Sequence, residues 1–246
     1  MAKEANSGFV KLFLAICCFS AFTCTAVAQR TMPKIKIPFS PTEIQVEELD
    51  NETWSRAVSV SIGNYWSGKK APKGRQFKAQ LLWSNEALYV RFVGDQAEPL
   101  IVSSTPELSK KTIGLWDRDV CEIFVAPNKA NRNKYFEFEI APTGEWIDLG
   151  IEWSATRRKT DLEYASGMES AVHVETDKIV MAVRIPWKAL GRTPKPGDIW
   201  LGNIFRCIGK DPTRGYLAWQ PTKTEKPNFH VPSAFGEFEF CSECKL

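Results

Sequence analysis

The sequence predicts an all-β fold: an antiparallel β-sandwich, jelly-roll or Greek-key-like, forming a single domain behind a signal peptide. Two observations carry this. Apolar residues fall in short alternating runs rich in Val, Ile, Phe, Tyr and Trp, the signature of half-buried strands. Gly, Pro, Asn and Asp break those runs at close intervals, and no stretch holds a 3.6-residue period over three turns. Closely spaced strands without helices bury their apolar faces by packing sheet on sheet.

The elements follow in chain order. Residues 1–28 read as a secretory signal. Lys3 and Lys11 give a positive flank, 9–22 is an apolar run, and Ala26-Val27-Ala28 is a small-x-small cleavage site. The run is short for a membrane span, so no span is expected after cleavage and the mature chain is expected to be secreted or periplasmic. Residues 29–42, with Pro33, Pro38 and Pro41, read as an extended leader. The sandwich is expected over 43–240. Its candidate strands are Gln76–Trp83, Ala87–Val93, Asp119–Val125, Lys134–Ile140, Glu145–Leu149, Ala171–Val174, Ile179–Ile185, Ile199–Ile208 and Gly236–Phe240. A helical turn is expected at Pro186–Leu190. The tail 241–246 carries Cys241 and Cys244 as a CxxC without the strand-to-helix unit of a redox site, so it reads as a stapled or free end.

Composition narrows the function. Lys plus Arg is 32 against 29 for Asp plus Glu, too weak an excess for a nucleic-acid binder. There are two His, His173 and His230, in no metal-ligand spacing. Glycine motifs for dinucleotides or phosphates and the serine-hydrolase elbow are missing. No cofactor is expected, although loop Asp residues and carbonyls leave calcium admissible. Nine Trp and fifteen Phe form an aromatic load that asks for a use.

Two strands carry a charge in an apolar row. Along 119–125, Val120, Glu122 and Phe124 share one face and Cys121, Ile123 and Val125 the other, so Glu122 lies among hydrophobes. Along 199–208, Arg206 lies between Ile204 and Ile208. Two lone opposite charges in core strands suggest each other, because a buried unpaired charge costs several kcal/mol. A register that pairs Glu122 with Arg206 also pairs Cys121 with Cys207, close enough for a disulfide or two adjacent thiols. An ion pair of this kind either only stabilises the fold or floors a polar pocket.

Sugars offer apolar C–H faces ringed by hydroxyls, which suits flat aromatic rings combined with planar polar groups. Trp116 precedes the Glu122 strand and Trp219 follows the Arg206 strand. If those strands are neighbours, the two indoles are placed to clamp one sugar above Glu122 and Arg206.

These residues carry a family likeness. Trp54-Ser-Arg-Ala57, Ala87-Leu-Tyr-Val90, the run from Leu115 to Phe124, the run from Tyr135 to Glu139 with Pro142 and Gly144, and Ile185-Pro-Trp187 with Leu190 begin it. Asn203-Ile-Phe-Arg206, Ala218-Trp-Gln-Pro221, Phe229-His-Val-Pro232 and Phe235-Gly236 complete it in order. The chain resembles family 9 carbohydrate-binding modules, more closely their stand-alone exported relatives. The resemblance implies an antiparallel sandwich without catalysis, binding a saccharide or polysaccharide end, in a setting of polysaccharide catabolism. It implies a clamp of Trp116 and Trp219 around Glu122; Arg206, from the charge-pair reading, and Asn203 complete the candidate ligand contacts. Two positions depart from the pattern: a glutamine position falls at Phe205 and an asparagine position at Ala141.

Two other readings compete. Related sandwiches hold haem between axial side chains, for which Met168, Met181, His173 and His230 are the candidates. A glycoside hydrolase needs two acids across a cleft; Glu137, Glu139, Asp117 and Asp119 are available, all equally readable as surface or rim acids.

Overall fold

A computed structural model describes Met1 and residues 32–244. The signal segment 1–28, with its cleavage site and Cys17, Cys18 and Cys24, lies outside the described residues. Every element below belongs to the unit Met32–Leu246.

Thirteen strands are found among the described residues: β1 Lys34–Pro38, β2 Ser59–Ile62, β3 Phe77–Trp83, β4 Ala87–Asp95, β5 Val120–Ala126, β6 Lys134–Ile140, β7 Trp146–Trp153, β8 Arg158–Asp161, β9 Glu169–Val174, β10 Lys178–Pro186, β11 Ile199–Ile208, β12 Gly215–Ala218 and β13 Gly236–Cys241. They form two sheets. The larger runs β1-β13-β11-β5-β6-β7-β8, with β12 also on β11; the smaller runs β2-β3-β4-β10-β9. All pairings are antiparallel except β1 with β13. The fold is the expected all-β sandwich, and the one α-helix among the described residues is the turn α1, Trp187–Leu190.

The alternation of β5 explains its central place. Cys121, Ile123 and Val125 point into the core between the sheets, with Phe92, Val183, Ile204 and Phe238. Val120, Phe124 and Ala126 point the other way, into a second apolar layer with Tyr135, Ile147, Leu149, Phe205 and Phe229. This outer layer exists because loops fold back over the larger sheet.

The leader is extended, and it is also part of the sandwich. Ile35 and Ile37 of β1 are buried in the main core. At the other end Cys241 and Cys244 are joined by a disulfide, so the tail is stapled.

The register between β5 and β11 corrects the expected charge pair. Glu122 pairs with Phe205 and Arg206 with Cys121, one residue from the register that would set Glu122 against Arg206. A one-residue slip sends side chains to opposite faces. Arg206 therefore points between the sheets, where its guanidinium donates to the carbonyls of Arg75, Gln76 and Asp95 and to Gln96 Oε1, at 2.6–3.2 Å. Cys121 faces that core and Cys207 the outer layer, and both are free, so neither the disulfide nor the adjacent thiols which the other register would permit are formed.

Candidate functional site

Strands β5, β6 and β11 build one polar floor on the outer face of the larger sheet. Glu122 stands directly across from Glu139 on β6, and Phe124 from Glu137. Side chains alternate, so Glu137 and Glu139 share the face of Glu122. One carboxylate oxygen from each of the three lies within 4.8 Å of the other two. The three residues are 2%, 3% and 0% exposed. These acids are buried, which corrects the reading of Glu137 and Glu139 as surface or rim groups.

Above this floor opens a cavity of about 340 Å³. Glu122, Glu137, Phe124, Leu149 and Cys207 line it from the sheet. Trp116, Asp117, Arg158, Thr160, Tyr216 and the segment 227–230 line it from the rim. Its volume lies at the small end of ligand pockets.

Each wall is held by identifiable contacts. Gly114, at φ 83°, turns the chain into a short 3₁₀ segment, Leu115–Asp117. Leu115 is buried there and Trp116 is 38% exposed. Arg214 fastens this loop, donating to the carbonyls of Trp116, Arg118 and Gly209 at 2.7–2.8 Å. Asp119 accepts from the Gly209 and Ile101 amides and ties the same loop to its neighbours. Elsewhere in the lining, the Phe229 ring stacks on Phe205 with centroids 4.0 Å apart and forms another wall. Phe205, at the departing glutamine position, thus supports that wall. Ala141, at the departing asparagine position, is buried in the same outer layer.

His230 closes the wall beside the acids. The Tyr135 hydroxyl accepts from Trp153 Nε1 at 3.2 Å and meets His230 Nδ1 at 3.0 Å. The other ring nitrogen, Nε2, lies 3.8 Å from Glu137 Oε2. Burial, aided by the Arg158 charge, pulls the His230 pKa down to about 3, so the ring is neutral. Burial pushes Glu137 up to about 7. Glu122 is raised well above the carboxylate range by burial and then by the charge of Glu137. Glu139 is raised by burial and then by the charges of Glu122 and Glu137. The Cys207 thiol, 3.5 Å from Glu122 Oε1, is raised by burial.

Of the residues expected at the site, Trp116 and Glu122 meet in this cavity. Trp219 does not line it. Tyr216 and Ala218 face the outer layer, so Leu217 and Trp219 face the sandwich core. There the Trp219 ring stacks on Phe238 with centroids 5.8 Å apart. It passes over Gly236, where a β-carbon would lie 2.3 Å from the indole. Asn203 is also spent on the fold: its amide bonds the Gln220 backbone in both directions and accepts from the Ile204 amide. Arg206 lies on the other side of the sheet. The four haem candidates are not assembled: Met181 is in the inter-sheet core, Met168 packs against that core, His173 is on β9 of the smaller sheet and His230 is at this cavity. Tyr216, Arg158 and Phe229 were not singled out as contacts by the sequence, and no local pattern marks them.

The fold is a β-sandwich whose outer face carries a cavity with an acidic floor and an aromatic rim, and the comparisons place it in a family. Residues 47–242 match the family described as carbohydrate family 9 binding domain-like, and the chain belongs to that family. A Bacteroides uniformis protein superposes with a TM-score of 0.68 at 17% identity, covering 85% of this chain and 100% of that one. A family 9 carbohydrate-binding module from Caldicellulosiruptor kristjanssonii, solved in complex with cellotriose, superposes at 0.62 with 16% identity, covering 86% of this chain and 95% of that one. A family 9 carbohydrate-binding module from the same organism, in complex with glucose, gives 0.60 at 16% identity, covering 87% of this chain and 98% of that one. A stretch of 92 residues is 30% identical to endo-1,4-beta-xylanase C of Paenibacillus barcinonensis, covering 37% of this chain and 7% of that enzyme.

Proposed function

We propose that the chain binds a saccharide or polysaccharide end in this cavity, without catalysis, and that it acts outside the cytoplasm, secreted or periplasmic, in polysaccharide breakdown. One observation carries the reading: a part-exposed indole, Trp116, stands at a monosaccharide-sized cavity whose floor presents Glu122 and Glu137. The indole stacks on an apolar sugar face, and the carboxyl groups bond the hydroxyls. Tyr216 and Phe229 add the other aromatic rings of the lining, from which Trp219 is absent. Of the lining acids, Glu122 and Glu137 rise from the floor and Asp117 from the rim; the match to a binding-domain family supports binding without catalysis. The Caldicellulosiruptor sugar complexes support the ligand class. The partial likeness to a xylanase supports the catabolic setting. The amino-terminal Lys3, the apolar run and the Ala26-Val-Ala28 site support export.

Calorimetric titration of the mature chain with glucose, cello-oligosaccharides and xylo-oligosaccharides tests the reading. Trp116→Ala is expected to weaken the best ligand at least ~10-fold, about 1.4 kcal/mol, with the unfolding midpoint nearly unchanged. Saccharide binding that survives Trp116→Ala intact refutes it.

A further inference from the structure

We propose that Glu122, Glu137 and Glu139 bind a hard divalent cation of the calcium class at the floor of the cavity. The inference concerns the same cavity as the saccharide reading but does not rest on it, and the ion is read directly.

Two of the acids, Glu122 and Glu137, line the cavity. Behind them Glu139 is fully buried, and neither of its carboxylate oxygens has a hydrogen-bond partner; Glu137 Oε2 has none either. Buried polar atoms in folded proteins are normally satisfied, so orphaned carboxylate oxygens clustered this closely ask for a missing group. The neighbours do not supply it. His230 is neutral and 3.8 Å from Glu137, and the Cys207 thiol reaches only Glu122.

The spacing fits an ion. Calcium holds oxygens at roughly 2.3–2.6 Å, so oxygens up to roughly 4.6–5.2 Å apart can touch one ion from opposite sides. The three carboxylate oxygens lie within 4.8 Å of one another. An all-oxygen donor set selects a hard cation over zinc or copper, which favour nitrogen and sulfur. Magnesium requires tighter, near-octahedral geometry, whereas calcium tolerates irregular cages. With one oxygen from each, three carboxylates supply three of the six to eight ligands calcium takes, and water or a ligand hydroxyl from the cavity completes the shell. The cavity is also the way in. Protons are the alternative: a proton shared by Glu137 and Glu139 would join the two carboxyl groups by a hydrogen bond, and the metal titration tells the two apart.

The full chain is stripped with a chelator, then titrated with calcium chloride by calorimetry and with terbium chloride by luminescence sensitised through tryptophan. One saturable site is expected, with a calcium-dependent rise in the unfolding midpoint. Glu139→Gln is expected to weaken the ion at least tenfold and to leave the metal-free midpoint equal or higher, because it removes one of three crowded acids. Glu107→Gln, on an exposed loop, is expected to bind like the parent. Should Glu139→Gln fail to fold, Glu137→Gln carries the same test. No saturable binding, or binding that persists at parental strength in the folded Gln variant, overturns the proposal. Saccharide titrations with and without chelator are scored apart: sugar binding with no ion response overturns the cation site and leaves the saccharide reading standing.

Discussion

Arg206→Met separates the architecture of the sandwich from the chemistry of its cavity. The guanidinium is 1% exposed and donates four hydrogen bonds, three to carbonyls and one to Gln96 Oε1. Gly94 makes room for it, since a β-carbon there would lie 2.8 Å from Arg206 Nη1. Methionine keeps much of the volume but removes every donor. The Gln76 carbonyl still accepts from the Asp95 amide, so the loss falls on the Arg75 and Asp95 carbonyls and on Gln96. Each buried acceptor left short costs about 1–3 kcal/mol. Relief from burying a cation offsets part of that, leaving a net loss of about 3–5 kcal/mol. For a domain of this size each kcal/mol lowers the unfolding midpoint by about 2–4 °C, so a fall of roughly 6–20 °C is expected. Calorimetry and urea unfolding read the stability, and saccharide titration well below the midpoint reads the site. Affinity is expected to hold within about twofold, because Arg206 lies across the sheet from Glu122. A stability loss under about 1 kcal/mol, or a collapse of affinity in a well-folded variant, refutes the assignment.

Trp219→Ala should behave as the mirror image of Trp116→Ala: a loss of about 2–4 kcal/mol, below the full cost of emptying a buried tryptophan because the ring is half-buried, with saccharide affinity unchanged. Urea unfolding and calorimetric titration check the two halves. Cys121 is fully buried and its thiol is pushed up to about 12 by burial, so it should resist iodoacetamide at neutral pH until the chain unfolds. Peptide mapping by mass spectrometry reads this, and alkylation of Cys121 in the native protein would show the core to be open.

The strands that carry apolar alternation were legible in the sequence. β5, β6, β10 and β11 announce themselves, and the placing of Glu122 opposite in sense to Cys121 follows from a period of two. Register did not follow, because both faces of β5 and β11 are apolar and no local signal tells one slip from the next. That single residue decided whether Arg206 met Glu122. β8, Arg158–Asp161, has no apolar residue at all, and β12 is four residues long, so neither was anticipated. Without β12 the face of Trp219 was unreadable, and its neighbour Tyr216 was overlooked. The acid triad was within reach: placing β6 beside β5 would have turned Glu137 and Glu139 toward Glu122.

Arg214 has a consequence for how tightly so small a recognition surface can hold a ligand. A stacking ring on a loose loop must be immobilised when the sugar arrives, and that ordering subtracts from an already modest attraction. Here one guanidinium moors three carbonyls before any sugar is present, so the indole's confinement is charged to folding and the ligand meets a plate already in position.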